Sequence, residues 1–221
     1  MRPKIIYFEK YFYKNAFRLL KKILNEHQII LISGGNSIRK ILTLSNENIK
    51  INKSRVIILS DERIYNDQND IRTNYTNLKK NFFSIFKFSN LKYIYFNLGY
   101  DDKIIVNTFY QKIKNKIPRA AILSLGNDGH ICSIFGGTKK NNINEYVDVV
   151  KPSKKIKRVT VNKNYLANIE NIYVLVNGVK KGKILDKIIS GKTTKFPLKS
   201  FKNITFILDD KAYKSINIYK N

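Results

Sequence analysis

The residue types that chemistry needs gather in a few short stretches, and the sharpest is Gly126-Asn127-Asp128-Gly129-His130. It follows directly on the apolar run Ala120-Ala121-Ile122-Leu123-Ser124-Leu125. A histidine titrates at about 6.5, so its neutral ring can take a proton from water at neutral pH. A carboxylate two residues earlier, Asp128, could fix the ring in one tautomer and leave the other nitrogen as the base. The flanking glycines leave room for a substrate. The plainer alternative is a loop histidine satisfied by its neighbours.

Asp61-Glu62-Arg63 closes another apolar run, Arg55 to Ser60. Three charges at a strand end are costly unless they bind something or pair with each other. Arg63 offers a planar fork to a phosphate, and Asp61 could orient a water or a sugar hydroxyl. The alternative is an ion pair between Arg63 and one of the two acids. Ser33-Gly34-Gly35-Asn36-Ser37 brings flexible backbone N–H groups to a helix start, where the dipole favours anions. It is equally a tight turn. It has neither the dinucleotide spacing of glycines nor the Gly-Lys-Ser/Thr of a phosphate loop. In Asn177-Gly178-Val179-Lys180-Lys181, Lys181 could add a second phosphate contact, or belong to a solvated helix face. Arg158, in Lys157-Arg158-Val159-Thr160-Val161, is a further candidate for an anion site.

Other chemistries find less. Ser133, on a predicted helix three residues after His130, lacks the Gly-x-Ser-x-Gly of a nucleophile elbow. Cys132, flanked by apolar residues, reads as a small buried hydrophobe. As the single cysteine it excludes an intramolecular disulfide and a cysteine-based metal site. The other histidine, His27, lies far along the chain in a helix-end context, and no metal-ligand spacing appears. Neither a metal nor a cofactor is expected.

These motifs need elements to position them. Residues 9–25 carry Phe12, Ala16, Leu19, Leu20, Ile23 and Leu24 at helical spacing, with lysines opposite. Short β-branched runs begin at Gln28, Arg55, Leu91, Ala120, Asn171 and Ile204, and helical stretches follow at 36–44, 74–86, 101–116, 179–190 and 210–216. Strands alternating with helices predict an α/β, Rossmann-like fold, with a largely parallel sheet flanked by helices on both faces. In such folds ligands bind beyond the carboxyl ends of the strands. Ser33 to Gly35, Asp61 to Arg63, Gly126 to His130 and Asn177 to Lys181 each follow a predicted strand, so topology collects them on one edge. The polar stretch 136–157 reads as a long loop, a small lid or extra lobe near the site, within a single domain spanning 1–221.

The net charge is +26, from 42 Lys+Arg against 16 Asp+Glu. A basic surface for nucleic acid or an anionic membrane is one explanation. The lysines are spread along the whole chain, together with abundant Asn, Ile and Tyr, and no RNA-binding signature appears. A compositional bias therefore explains the charge better, and nucleic acid is not the expected partner. No apolar run nears the roughly 20 residues of a spanning helix, and the basic N-terminus has no signal-peptide pattern. The cytoplasm is the expected location. The sequence leaves the oligomeric state open.

Taken together, Ile32-Ser33-Gly34-Gly35-Asn36-Ser37, the block from Leu59 through Asp61-Glu62-Arg63 to Phe83, Leu123 to Gly137, Lys157 to Val161 and Val174 to Gly191 resemble the 6-phosphogluconolactonases in order and spacing. That family shares its fold with the glucosamine-6-phosphate deaminases. The resemblance runs from about Tyr7 to Ala212. Two features favour the lactonase over the deaminase. The deaminases typically show Asp-Glu-Tyr where Asp61-Glu62-Arg63 stands, and an Asn-Glu-Pro element where Ser133-Ile134-Phe135 stands. The resemblance implies hydrolysis of 6-phospho-D-glucono-1,5-lactone, with His130 activating water beside Asp128. It implies that Arg63 and Lys181 hold the phosphate, with Gly34 and Gly35 lining its pocket. Asn74 matches the family's Ser-Asn pair, with Thr73 in the serine's place. Departures stand at Asn36 and Ile38, for a hydroxyl residue and a proline, and at Gly136, for a proline. The alternatives are a deaminase/isomerase-type sugar-phosphate enzyme and a non-catalytic anion-binding homologue.

Overall fold

The computed structural model describes residues 4–44, 51, 53–85, 90–136, 141–142, 144–152, 156–193, 201 and 203–217. Among these, seven strands form one sheet in which every pairing is parallel. They are β1 (Lys4–Phe8), β2 (Ile29–Ile32), β3 (Arg55–Leu59), β5 (Leu91–Ile94), β6 (Ala120–Ser124), β10 (Asn171–Val176) and β11 (Ile204–Asp209). Their order is β1-β11-β10-β6-β2-β3-β5. The central strands are apolar on both faces: Leu31, Ile58, Leu123 and Val174 are all fully buried. That is how a parallel sheet covered on both sides must read.

The chain runs from β2 outward to β3 and β5, then returns to β6 and runs the other way to β10 and β11. With right-handed crossovers, this puts α1 (Phe12–Glu26), α2 (Asn36–Thr43) and α3 (Asn74–Ile85) on one face. The crossovers through α4 (Asp102–Ile113) and α6 (Val179–Ile189) cover the other. α1 buries Phe12, Ala16, Phe17, Leu20, Ile23 and Leu24, a stripe at helical spacing. α4 is started by Asp101, whose carboxylate accepts from the Ile104 N–H at 2.9 Å. The direction reverses between β2 and β6. A crevice opens there beyond their carboxyl ends, the usual ligand position in doubly wound sheets.

The extra lobe is a second, antiparallel sheet, not a long loop. β4 (Asp61–Arg63), β9 (Arg158–Val161), β8 (Val147–Val150) and β7 (Asn141–Asn142) lie in the order β4-β9-β8-β7. Val147, Val149, Val159 and Val161 are buried and join the main core. β8 is buried along its whole length and β9 over its last three residues, inside a stretch that the surrounding lysines and asparagines make look polar. The residues at 137–140, 143 and 153–155 fall outside the described residues. Two short helices complete the fold, α5 (Lys163–Ala167) and α7 (Asp210–Tyr213). Asp61-Glu62-Arg63 is therefore not the tail of β3: the chain crosses at Ser60 from one sheet to the other. No described helix is long and apolar enough to cross a membrane.

Candidate active site

β6 ends at Ser124, and the chain turns tightly through Gly126 to His130, with the Gly126 N–H donating to the His130 carbonyl at 2.7 Å. Gly129 carries a φ of 87°, a conformation that suits glycine. The turn folds Asp128 back on its neighbour, so that His130 Nδ1 and Asp128 Oδ1 are hydrogen-bonded. A carboxylate only accepts, so Nδ1 carries the hydrogen and Nε2 is left as the acceptor. Burial lowers the His130 pKa, and the Asp128 hydrogen bond and charge oppose that shift without cancelling it. The ring is thus a neutral base at pH 7. Phe135 packs against it with ring centroids 4.5 Å apart.

On the β3 side, Asp61 is buried and accepts the hydroxyls of Ser60 at 2.8 Å and Ser133 at 2.7 Å. Ser133 sits in a turn beside Cys132 (φ 50°), not on a helix, and its hydroxyl is spent on Asp61. Cys132 is buried, and burial raises its thiol well above the ordinary range, which makes it inert as a nucleophile. The β4–β9 register sets Arg63 directly opposite Arg158. Like charges facing each other across a strand pair are unfavourable unless an anion lies between them. Arg158 lies 4.0 Å from Asp61, reaches Ser133 Oγ at 3.4 Å, stacks over Phe135 and has a buried Nε with no hydrogen-bond partner among the described residues. Arg63 is not ion-paired to its own acids: its guanidinium donates to the Arg72 carbonyl at 2.6 Å.

Glu62 is instead a clamp. Fully buried, it accepts the backbone N–H groups of Arg63 (2.7 Å), Asn74 (2.6 Å) and Tyr75 (2.7 Å), tying the start of α3 to β4. Burial raises its pKa to about 7 against the pull of those three donors. Asn74 returns its Nδ2 to the Asp61 carbonyl at 2.8 Å, and its buried Oδ1 has no partner among the described residues. Thr73 caps this helix through the Thr76 N–H at 3.1 Å. Gly34 abuts Asn74 so closely that a Cβ would run into its side chain and backbone. Gly35, by contrast, would point a Cβ into open space.

On the β10 side, Lys181 reaches back over the start of α6 to Ser37 Oγ (3.0 Å), Ser124 Oγ (3.2 Å) and Asn177 Oδ1 (3.2 Å). Burial lowers its pKa to about 8, with Asp209 opposing and Lys40 adding to the shift. The ammonium is still mostly charged at pH 7 and is already aimed at the start of α2, where Gly35 is the N-cap.

One cleft of about 380 Å³ joins these groups, within the usual size of a small-molecule site. Its walls include Gly35, Asp61, Arg63, Asn74, His130, Arg158 and Lys181. Of the residues the sequence singled out, Gly34 and Asp128 stand just behind that wall. Ser37, Ser124 and Asn177, the three partners of Lys181, went unassigned. Each is a hydroxyl or amide in or beside a marked turn, but the α2–β6 and α2–α6 contacts that give them meaning span 87 to 144 residues. Among the described residues no group of three His, Cys, Asp or Glu side chains is placed to hold a metal.

The profile of the family described as glucosamine-6-phosphate isomerases/6-phosphogluconolactonase matches residues 10–206, across the whole of this cleft. The chain belongs to that family. A curated 6-phosphogluconolactonase of Helicobacter pylori is 31% identical over 171 residues, covering 74% of this chain and 73% of the relative. Among solved structures, the 6-phosphogluconolactonase from Plasmodium vivax superposes with a TM-score of 0.78 at 19% identity, over 99% of this chain and 94% of that one. A monomeric glucosamine-6-phosphate deaminase does so at 0.75 with 16% identity, over 96% and 99%. Both branches of the family thus share this architecture, and the side chains in the cleft must separate them.

Proposed function

We propose that the chain is a 6-phosphogluconolactonase, which hydrolyses 6-phospho-D-glucono-1,5-lactone to 6-phospho-D-gluconate in the oxidative pentose phosphate pathway. The observation that carries this reading is the hydrogen bond between His130 Nδ1 and Asp128, in a cleft that Arg63, Arg158 and Lys181 also line. A δ-lactone is an activated ester, so the reaction needs a positioned water, a base and charge to meet the oxyanion.

His130 Nε2 removes a proton from water as its oxygen attacks C1. The electron pair of the carbonyl moves onto its oxygen, and the C1–O5 bond then breaks. The proton passes from His130 to O5, which leaves as a hydroxyl, and C1 becomes a carboxyl group. General-base help of this kind is worth about 10²–10⁴-fold. Asp128 holds the tautomer and stabilises the ring while it carries the proton. Arg158, beside the base and partnered below its capacity, faces the developing oxyanion. Arg63 opposite adds charge to the same wall, and the free Oδ1 of Asn74 accepts from a sugar hydroxyl. Asp61 fixes Arg158 and the Ser133 turn. The phosphate sits at the other side of the crevice, on Lys181 and the N–H groups after Gly34 and Gly35. Its binding energy places the carbonyl.

The replacement of an Asn-Glu-Pro element by Ser133-Ile134-Phe135 favours lactone hydrolysis over deamination, because Ile134 stands in place of the carboxylate and Phe135 packs an apolar ring against His130. The test is a pair of assays. The enzyme should release acid from 6-phosphogluconolactone well above spontaneous opening, and no ammonia from glucosamine 6-phosphate. Ammonia without acid release would make the chain a deaminase. Neither, together with steeply salt-dependent nucleic-acid binding, would make it a non-catalytic binder.

A further inference from the structure

We propose that Asp209 is a positioning residue for the anion end of the cleft: its carboxylate holds the Gly178 turn and thereby sets Asn177 and Lys181. The inference rests on the reading of Lys181 as the phosphate ligand. Asp209 lies at the end of β11, one strand beyond β10 and outside the cleft wall. Both of its oxygens accept the Gly178 N–H, at 2.9 and 3.0 Å, and Oδ1 also accepts the Ala212 N–H at 2.8 Å. Gly178 is held at φ 87° between Asn177 and the first turn of α6. Asn177 Oδ1 in turn receives the Ser37 hydroxyl at 2.7 Å and the Lys181 ammonium at 3.2 Å. One carboxylate therefore fixes the turn from which two of the cleft's polar side chains project.

The contact is the first of three at helical spacing. Gly182, beside Lys181, packs against the backbone of Ala212 so closely that a Cβ would collide with it. Asp186 accepts the Asn217 N–H at 2.8 Å. Positions 178, 182 and 186 thus tie one stripe of α6 to the segment Asp209–Asn217. A helix cap alone would require only the Ala212 bond. The two further bonds to Gly178, and the rest of the stripe, make this segment a brace for Lys181. The Asp209 charge also offsets part of the burial that weakens the ammonium.

The Asp209→Asn variant keeps the shape but loses the charge, and its amide nitrogen cannot accept from Gly178. Binding of inorganic phosphate, followed by ³¹P NMR, should weaken about tenfold, the scale of a lost charge-assisted hydrogen bond. The KM for the phosphorylated lactone should rise by about as much, while hydrolysis of unphosphorylated gluconolactone stays within about twofold. The double variant Asp209→Asn/Lys181→Ala should bind phosphate no worse than Lys181→Ala alone. Equal losses on both lactones, additive losses in the double variant, or unchanged phosphate binding would overturn the proposal. Should the wild type hydrolyse neither lactone while the phosphate results hold, the brace stands and the assigned reaction falls. If Asp209→Asn does not fold, Gly182→Ala strains the same brace from the other side and must show the same selective loss. An unselective loss there also overturns it.

Discussion

Replacing Gly126 by alanine should disable the base without touching a charge or a hydrogen-bonding group. The backbone at Gly126 is not among the positive-φ positions, so alanine itself is tolerated there. Its Cβ, however, would press against Nδ1 and Cε1 of the His130 ring far inside van der Waals contact, and lie 2.9 Å from Asp128 Oδ1. Restoring ordinary contact requires the ring to move by roughly 1 Å, and a displacement of that size costs on the order of 10²-fold in rate. The His130 and Asp128 side chains are 20% and 43% exposed, so they can swing into the cleft without disrupting the core. Stability should fall by about 1 kcal/mol or less, a shift of roughly 2–4 °C in Tm for a chain of this size. The assay is continuous titration of released acid at saturating lactone, with spontaneous opening subtracted. The kcat should fall about 100-fold and KM change little, because the phosphate end is untouched. A folded Gly126→Ala enzyme with wild-type kcat would refute the claim that this turn places the base.

Asp128→Asn should lower kcat by about tenfold. It should also move the acid limb of kcat/KM to lower pH, since Asp128 is what holds the His130 pKa up against burial. In the wild type that limb should lie below about 6.5, with activity lost as pH falls through it. Lys181→Ala should raise KM with kcat little changed, whereas Arg158→Ala should lower kcat; steady-state kinetics of the two variants separate the binding end from the reacting end. Glu62 leaves a mark on stability. Its pKa is raised from 4.5 to about 7, so between those values the folded state holds more protons than the unfolded one, and stability falls as pH rises through that window. The burden of the ionised group is about 3 kcal/mol above pH 7, and Glu62→Gln should remove that slope from urea-unfolding curves taken across the window.

Six of the seven strands of the main sheet were legible, the interior ones because most of their residues are buried; the edge strand β1, with no buried residue, was missed. Runs such as Ile29–Ile32 and Asn171–Val176 carry their own signal, and each is closed by a turn with recognisable chemistry. The position of the four turns on one edge then followed from topology. The second sheet was not legible. β4 has three residues and β7 two, too few for any period, and β8 and β9 lie in a lysine-rich stretch. That omission hid the Arg63–Arg158 pairing, which depends on the antiparallel register between residues 95 positions apart. His130 and Asp128 are neighbours in sequence and could be paired by eye. Of the groups that orient Lys181, Asn177 is four residues away, but Ser37 and Ser124 come from α2 and β6, 144 and 57 residues distant, and nothing local announces those two.

The most direct test of the central claim is His130→Ala, compared with the wild type on 6-phosphogluconolactone at pH 7 after subtraction of the spontaneous rate. The variant should fold, bind inorganic phosphate as tightly as the wild type and turn over at least about 10²-fold more slowly. A variant that hydrolyses the lactone at the wild-type rate would contradict it, because the proposed mechanism takes the water proton on His130.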